Sequence, residues 1–178
     1  MARIEQKPGK VSFGQAVSDF FKGYVDFKGR TTRAGFWWAL LMYLLVHISF
    51  LIIFLIFLFS SNASSIASNN VEQFFLNTML GTGLLGLIYM LFVLGTILPM
   101  LTLTVRRYRD AGMTGSGIVL LLIAGYLLPR GGNGNTIISL VSYALMVFEF
   151  ILAVLPTDTL FARSTDNDVK KFFLRVKP

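Results

Sequence analysis

The chain has 178 residues, 54% of them hydrophobic and 14% charged, with a formal net charge of +7. Soluble domains carry about 25% charged residues; here charges are nearly absent from four long runs and crowd the gaps, as a bilayer demands because each charge in hydrocarbon is costly. With no cysteine and one histidine, disulfides, thiolate catalysis and Cys-type or multi-histidine metal sites are excluded. No cofactor is expected, and a basic charge that flanks apolar runs points to anionic lipid headgroups rather than nucleic acid.

In chain order, Ser12–Phe27 reads as an amphipathic helix. Ser12 and Gln15 fit a capping box, and Phe13, Val17, Phe20, Tyr24 and Phe27 recur at helical spacing on one face. That face either sinks into the headgroup boundary or packs on the membrane-embedded helices. The stretch that follows, Phe27–Trp38, brings Arg30 and Arg33 together with Phe36, Trp37 and Trp38. Its arginines could grip lipid phosphate, or the segment is an anchor that sets depth and orientation.

The first apolar run, 36–59, has 24 residues, about 36 Å as a helix against a core of about 30 Å. Only His47 and Ser49 interrupt it. Its length and its distance from the N-terminus argue against a cleaved signal peptide. The polar stretch Ser60–Thr78 reads as a loop and contains an Asn62-Ala63-Ser64 sequon. The second run, 79–105, carries Gly95 and Pro99. Proline lacks an N–H, and its ring clashes with the carbonyl four residues back, so a kink is expected at this pair. Thr82 and Gly86 form a small-xxx-small pair suited to close helix contact.

The segment Arg106-Arg107-Tyr108-Arg109-Asp110-Ala111-Gly112-Met113-Thr114-Gly115-Ser116-Gly117 reads as a loop. Three arginines lie within four residues, and Asp110 could hold one guanidinium. The loop is an anion or headgroup site or, more plainly, a basic turn; it lacks the ending of a phosphate-binding P-loop. The third run, 113–128, is short, about 24 Å. Pro129 ends it, and Arg130–Asn135 reads as a tight turn that makes a hairpin with the fourth run, 136–155. That run holds Glu149. One carboxylate costs roughly 3 kcal/mol near a helix centre, and twelve Leu, Ile, Val and Phe residues return about 5, so the span stands. The tail, 156–178, is basic, and a short interfacial helix is plausible there.

Fifteen of the sixteen Lys and Arg residues fall on one side of this four-span topology and only Arg130 on the other. The positive-inside rule therefore places both termini and the 106–117 segment in the cytoplasm. The expected fold is an all-α integral membrane protein. A cytoplasmic segment, 1–35, holds the amphipathic interfacial helix. About four transmembrane helices occupy 36–155, and the basic tail follows.

The segments Gly29-Arg30-Thr31-Thr32-Arg33-Ala34-Gly35-Phe36-Trp37-Trp38 and Arg106–Gly117 together resemble the bacterial inner-membrane family called domain of unknown function 805. Its pattern is Gly-Arg-x-x-Arg-x-x-Phe/Tyr-Trp, then Arg-Arg-x-His/Arg-Asp-x-Gly-x-Ser-Gly. Gly29, Arg30, Arg33, Phe36 and Trp37 match the first; Arg106, Arg107, Asp110, Gly112 and Gly115 match the second. Arg109 stands where His is usual and Thr114 where Ser is usual. The aromatic that normally follows is missing, and Asp166-Asn167-Asp168 only echoes the family's Asn-containing ending. The resemblance implies a bacterial plasma-membrane protein and no established activity.

Two residues of ionisable type, His47 and Glu149, lie deep in the expected spans. Such residues are functional candidates by default, although a neutral His and a protonated Glu can each satisfy themselves on hydroxyls or backbone. Their depths would allow them to meet if the first and fourth helices were neighbours. The leading functional expectation is a non-enzymatic membrane component that binds lipid headgroups, a membrane-protein partner or further copies of itself. The alternative is a small oligomeric transporter, channel or holin-like protein that uses His47 and Glu149. A lipid-phosphate enzyme ranks last, because only Asp110 is placed to hold a metal at the interface.

Overall fold

The structure, a computed structural model, describes residues 3–128 and 136–176. The order is α1 (Phe13–Lys22), α2 (Arg33–Ala67), α3 (Val71–Ala111), α4 (Gly115–Leu127), α5 (Thr136–Val154) and α6 (Asp168–Phe173). Among the described residues the only β features are isolated bridges, such as Glu5 with Arg30 and Met113 with Leu174. α2, α3 and α5 are long and apolar enough to cross a membrane. α4 is apolar but has 13 residues, about 20 Å of helix, short of a bilayer core. The expected turn at Arg130–Asn135 lies outside the described residues.

Two stretches expected as loops are helical. The first is Ser60–Thr78, where α2 runs on to Ala67 and α3 begins at Val71. The polar side chains there make helix contacts rather than a loop. Asn62 Nδ2 donates to Thr78 Oγ1 at 3.2 Å, and Asn77 Nδ2 donates to Ser61 O at 3.0 Å and to Ser65 Oγ at 3.2 Å. Ser61 and Ser68 donate back to carbonyls four residues earlier. Asn62 is fully buried, so the sequon is closed off. Asn69, in the left-handed region at φ 52°, turns the chain, and Asn70 Oδ1 caps α3 by accepting from Gln73 N. The second corrected stretch is Arg106–Ala111, which forms the last turns of α3. The helix also continues through Pro99.

The chain divides into two compact units. One comprises Met1–Ala39 with Pro99–Pro178, the other Leu40–Leu98. In the first, the core gathers Val105, Tyr108 and Ala111 from α3, Met113, Ile118 and Leu121 at and beyond the α3–α4 link, and Leu152 from α5. α4 packs on α5 and α6. Ser12 Oγ accepts from Gln15 N at 3.3 Å and caps α1, and Phe20 is fully buried. Phe13, Tyr24 and Phe27 stay exposed, so the expected aromatic face is split between core and surface. In the second unit, Tyr43, His47 and Phe50 of α2 pack rings against Tyr89 and Phe92 of α3.

Candidate functional site

Arg106 and Arg107 are consecutive on α3, so their side chains leave the helix about 100° apart. Each reaches a different neighbour, and both are fully buried. Arg107 Nη1 pairs with Asp110 Oδ2 at 2.5 Å, Nε donates to Ala153 O at 3.2 Å, and Nη2 donates to Leu155 O. The carbonyls at a helix C-terminus have no intrahelical donor, and this guanidinium supplies two at the end of α5. Asp110 is 1% exposed. It also accepts from Thr157 Oγ1 at 2.9 Å, and its own carbonyl accepts from Asp158 N at 2.7 Å. A buried pair of this kind stands only when its remaining hydrogen-bonding capacity is met, and Ala153, Leu155 and Thr157 meet it.

Arg106 faces the N-terminal segment. Its Nη1 donates to Asp19 O at 3.3 Å, and its carbonyl accepts from Thr31 N at 3.3 Å. Nε and Nη2 have no hydrogen-bond partner among the described residues. Asp26 and Asp19 are the acidic groups that act on this guanidinium. Gly23 lies against it: a Cβ there would stand 2.6 Å from Arg106 Cζ. Thr102 Oγ1, one turn earlier on α3, donates to Gly23 O at 3.1 Å.

The segment around Arg30 and Arg33 is fixed by the same network. Asp26 accepts from Ile4 N at 2.7 Å, Gly29 N at 3.0 Å and Lys28 N at 3.1 Å. Gln6 Oε1 accepts from Thr32 N at 3.0 Å, while its Nε2 donates to Asp19 Oδ2 at 2.9 Å. Gly29 and Gly35 make room: a side chain at Gly29 would meet Ile4 O at 2.5 Å, and one at Gly35 would meet Gln6 Cδ at 2.7 Å. Arg30 reaches across to Asp158 at 3.1 Å.

The tail closes the arrangement. Arg175 pairs with Asp158 at 2.5 Å and donates to Arg109 O at 2.8 Å. Arg175 N donates to Gly112 O, and Thr114 N to Phe173 O, each at 2.9 Å. Gly112 has φ +120°, and a Cβ there would run into the Leu160 carbonyl. Thr114 Oγ1 caps α4 by accepting from Gly117 N at 3.2 Å.

The two sequence motifs therefore meet in one unit, sharing Asp158 and the last turns of α3. A family model described as a protein of unknown function, DUF805, matches residues 24–170. The chain belongs to that family. The span matched to DUF805 contains both motifs, α2 to α5 and most of the tail. No curated protein and no solved structure matches the chain.

Of the candidate headgroup-binding residues, Arg106, Arg107 and Asp110 are engaged inside the protein, Arg30 and Arg109 are half-buried, and Arg33 is exposed. Asp19, Asp26, Thr157, Asp158 and Arg175 complete the network without having been singled out in the sequence. The one available signal was acidic residues set among basic ones. His47 belongs to the second unit, where Nδ1 lies 2.9 Å from Tyr43 O and the ring packs on Tyr43, Tyr89 and Phe92. Glu149 belongs to the first unit, within electrostatic range of Tyr108.

Proposed function

We propose that this DUF805 member is a multi-span plasma-membrane protein, both termini cytoplasmic, that catalyses no reaction and holds anionic lipid headgroups against a basic, aromatic cap. One observation carries the reading. Arg106 and Arg107 are buried inside the protein, while Lys22, Lys28 and Arg33 stay exposed beside exposed Phe21, Tyr24, Phe27, Trp37 and Trp38. Aromatic rings seat at the headgroup level, and each Lys or Arg near an anionic surface adds about 1 kcal/mol. α1 is then the interfacial helix: it lies along the boundary with Phe20 turned to the protein and Phe13 and Phe21 to the lipid. A membrane-protein partner with an acidic surface would engage the same residues.

The test is the lipid that accompanies the protein. Extracted from membranes of mixed composition, the chain should carry anionic lipid enriched several-fold over the bulk. The triple variant Lys22→Gln, Lys28→Gln, Arg33→Gln should lose the enrichment while keeping its unfolding temperature. Equal enrichment in the variant refutes the reading, and loss of lipid with retention of a co-purifying acidic membrane protein moves it to a partner surface.

A further inference from the structure

The Leu40–Leu98 unit contains a cavity of about 260 Å³ whose lining includes His47, Phe50, Phe54, Leu85, Gly86 and Tyr89. An apolar cavity of about 150 Å³ takes up benzene, so this one has room for a substituted ring. Its walls are aromatic and aliphatic, and it has two polar contributors, His47 and Tyr89. The carbonyl of Tyr43 can only accept, so at 2.9 Å from it His47 Nδ1 is the protonated nitrogen. In that tautomer Nε2 is an acceptor. Among the described residues no hydrogen bond reaches the Tyr89 hydroxyl.

Both groups are deep. His47 is the twelfth residue of the 24-residue apolar run 36–59. Tyr89 is three residues from the middle of the run 79–105, about 4.5 Å along the helix. Polar groups without partners at such depth are costly, and water is scarce there. The cavity thus combines a ring-sized apolar space with an acceptor and a hydroxyl that lack a shared partner. Gly86 keeps it open, since a Cβ at this position has no atom of the protein within 4 Å.

We propose that the cavity binds a membrane-dissolved amphiphile whose polar end is a hydroxylated ring, of the phenol or hydroquinone class, and whose body is apolar. The ring lies between Phe50, Phe54 and Tyr89, its hydroxyl donates to His47 Nε2, and the apolar body continues past Leu51 and Ile53, which are half exposed. A plain acyl chain would fill the space and leave both polar groups unmet. The site is independent of the headgroup reading, whose residues lie elsewhere in the chain.

The experiment uses the full chain in nanodiscs, with empty nanodiscs as background. Binding of 4-hexylphenol and of hexylbenzene is read by saturation-transfer NMR. The expected result is saturable binding of 4-hexylphenol and at least tenfold weaker binding of hexylbenzene. His47→Gln, which keeps an acceptor, should retain most of the affinity, and His47→Leu should lower it about tenfold. Gly86→Leu, which leaves His47 and Tyr43 untouched, should abolish binding with the circular dichroism spectrum unchanged. Equal binding of the two probes overturns the proposal, as does binding that survives both His47→Leu and Gly86→Leu.

Discussion

The Arg107–Asp110 pair gives the sharpest energetic test. Replacing Arg107 with Met removes the guanidinium, keeps most of its bulk, and leaves the Asp110 carboxyl buried with Thr157 as its remaining side-chain donor. Breaking one side of a buried pair costs about 3–5 kcal/mol. Two carbonyls at the end of α5 lose their donors as well, so the upper part of that range applies. Asp110→Leu is milder, because Arg107 still holds Ala153 O and Leu155 O. The double variant Arg107→Met, Asp110→Leu removes both charges of the pair and should cost clearly less than the sum of the singles. For a chain of this size 1 kcal/mol corresponds to about 2–4 °C. Arg107→Met should therefore lower the unfolding temperature of the detergent-solubilised protein by about 8–20 °C, read by circular dichroism. A shift under about 3 °C, or strict additivity in the double variant, would refute a buried, mutually dependent pair.

Four further outcomes are expected. Gly112→Ala, at φ +120° and against the Leu160 carbonyl, should cost at least about 2 kcal/mol, whereas Gly14→Ala, with nothing within 4 Å, should be neutral or stabilise α1 by up to about 1 kcal/mol; thermal unfolding compares them. Asp158→Asn keeps the left-handed conformation at φ 53° but loses its charge to Arg30 and Arg175; stability should fall by no more than about 1 kcal/mol, while limited proteolysis of the tail after residue 160 becomes several-fold faster. Because the chain has no cysteine, single substitutions at Lys10, Asn70, Asn133 and Ser164 report topology directly. An impermeant thiol reagent outside intact cells should label the second and third but not the first and fourth, and labelling of Lys10→Cys would overturn the orientation. The Asp166 carboxyl is held below the usual carboxylate range, chiefly by the Arg163 N–H at 2.8 Å and also by Lys170, against an opposing effect of burial. Its contribution is complete at pH above the ordinary carboxylate range and lost as pH falls through the depressed value, which carboxyl NMR titration of this residue checks.

Features set by neighbours in sequence were readable without the structure. The Ser12 cap depends on a residue three positions away, and the apolar runs declare themselves by composition. The two arginine motifs pointed to the right family. Asp110 was legible as a partner for one guanidinium, and it holds Arg107; what sequence could not supply was the polar partners distant along the chain. Arg106-Arg107 reads as a basic turn because two adjacent cations normally face water. They are helical and buried here because Asp110, the end of α5 and the Asp19–Gly23 backbone surround them, and the contacts other than that with Asp110 span 46 to 87 residues. Ser60–Thr78 reads as a loop for the same reason, since its polar side chains are met by each other across two helices, Asn77 on Ser61 and Asn62 on Thr78. The split of the α1 aromatics between core and surface also depended on what packs against Phe20, which periodicity does not encode.

The pairing of Arg107 has a consequence for the order in which the chain is made. Its two carbonyl acceptors lie 46 and 48 residues further on, at Ala153 and Leu155. When α3 leaves the ribosome they do not yet exist. Asp110, three residues away, emerges within the same turn of helix, and the pair can form at once. The carboxylate is thus placed to neutralise the guanidinium during insertion, before α5 is made. Asp110→Leu should accordingly show a second defect beyond the lowered stability of the finished protein: a larger share of nascent chains removed by membrane proteases before folding.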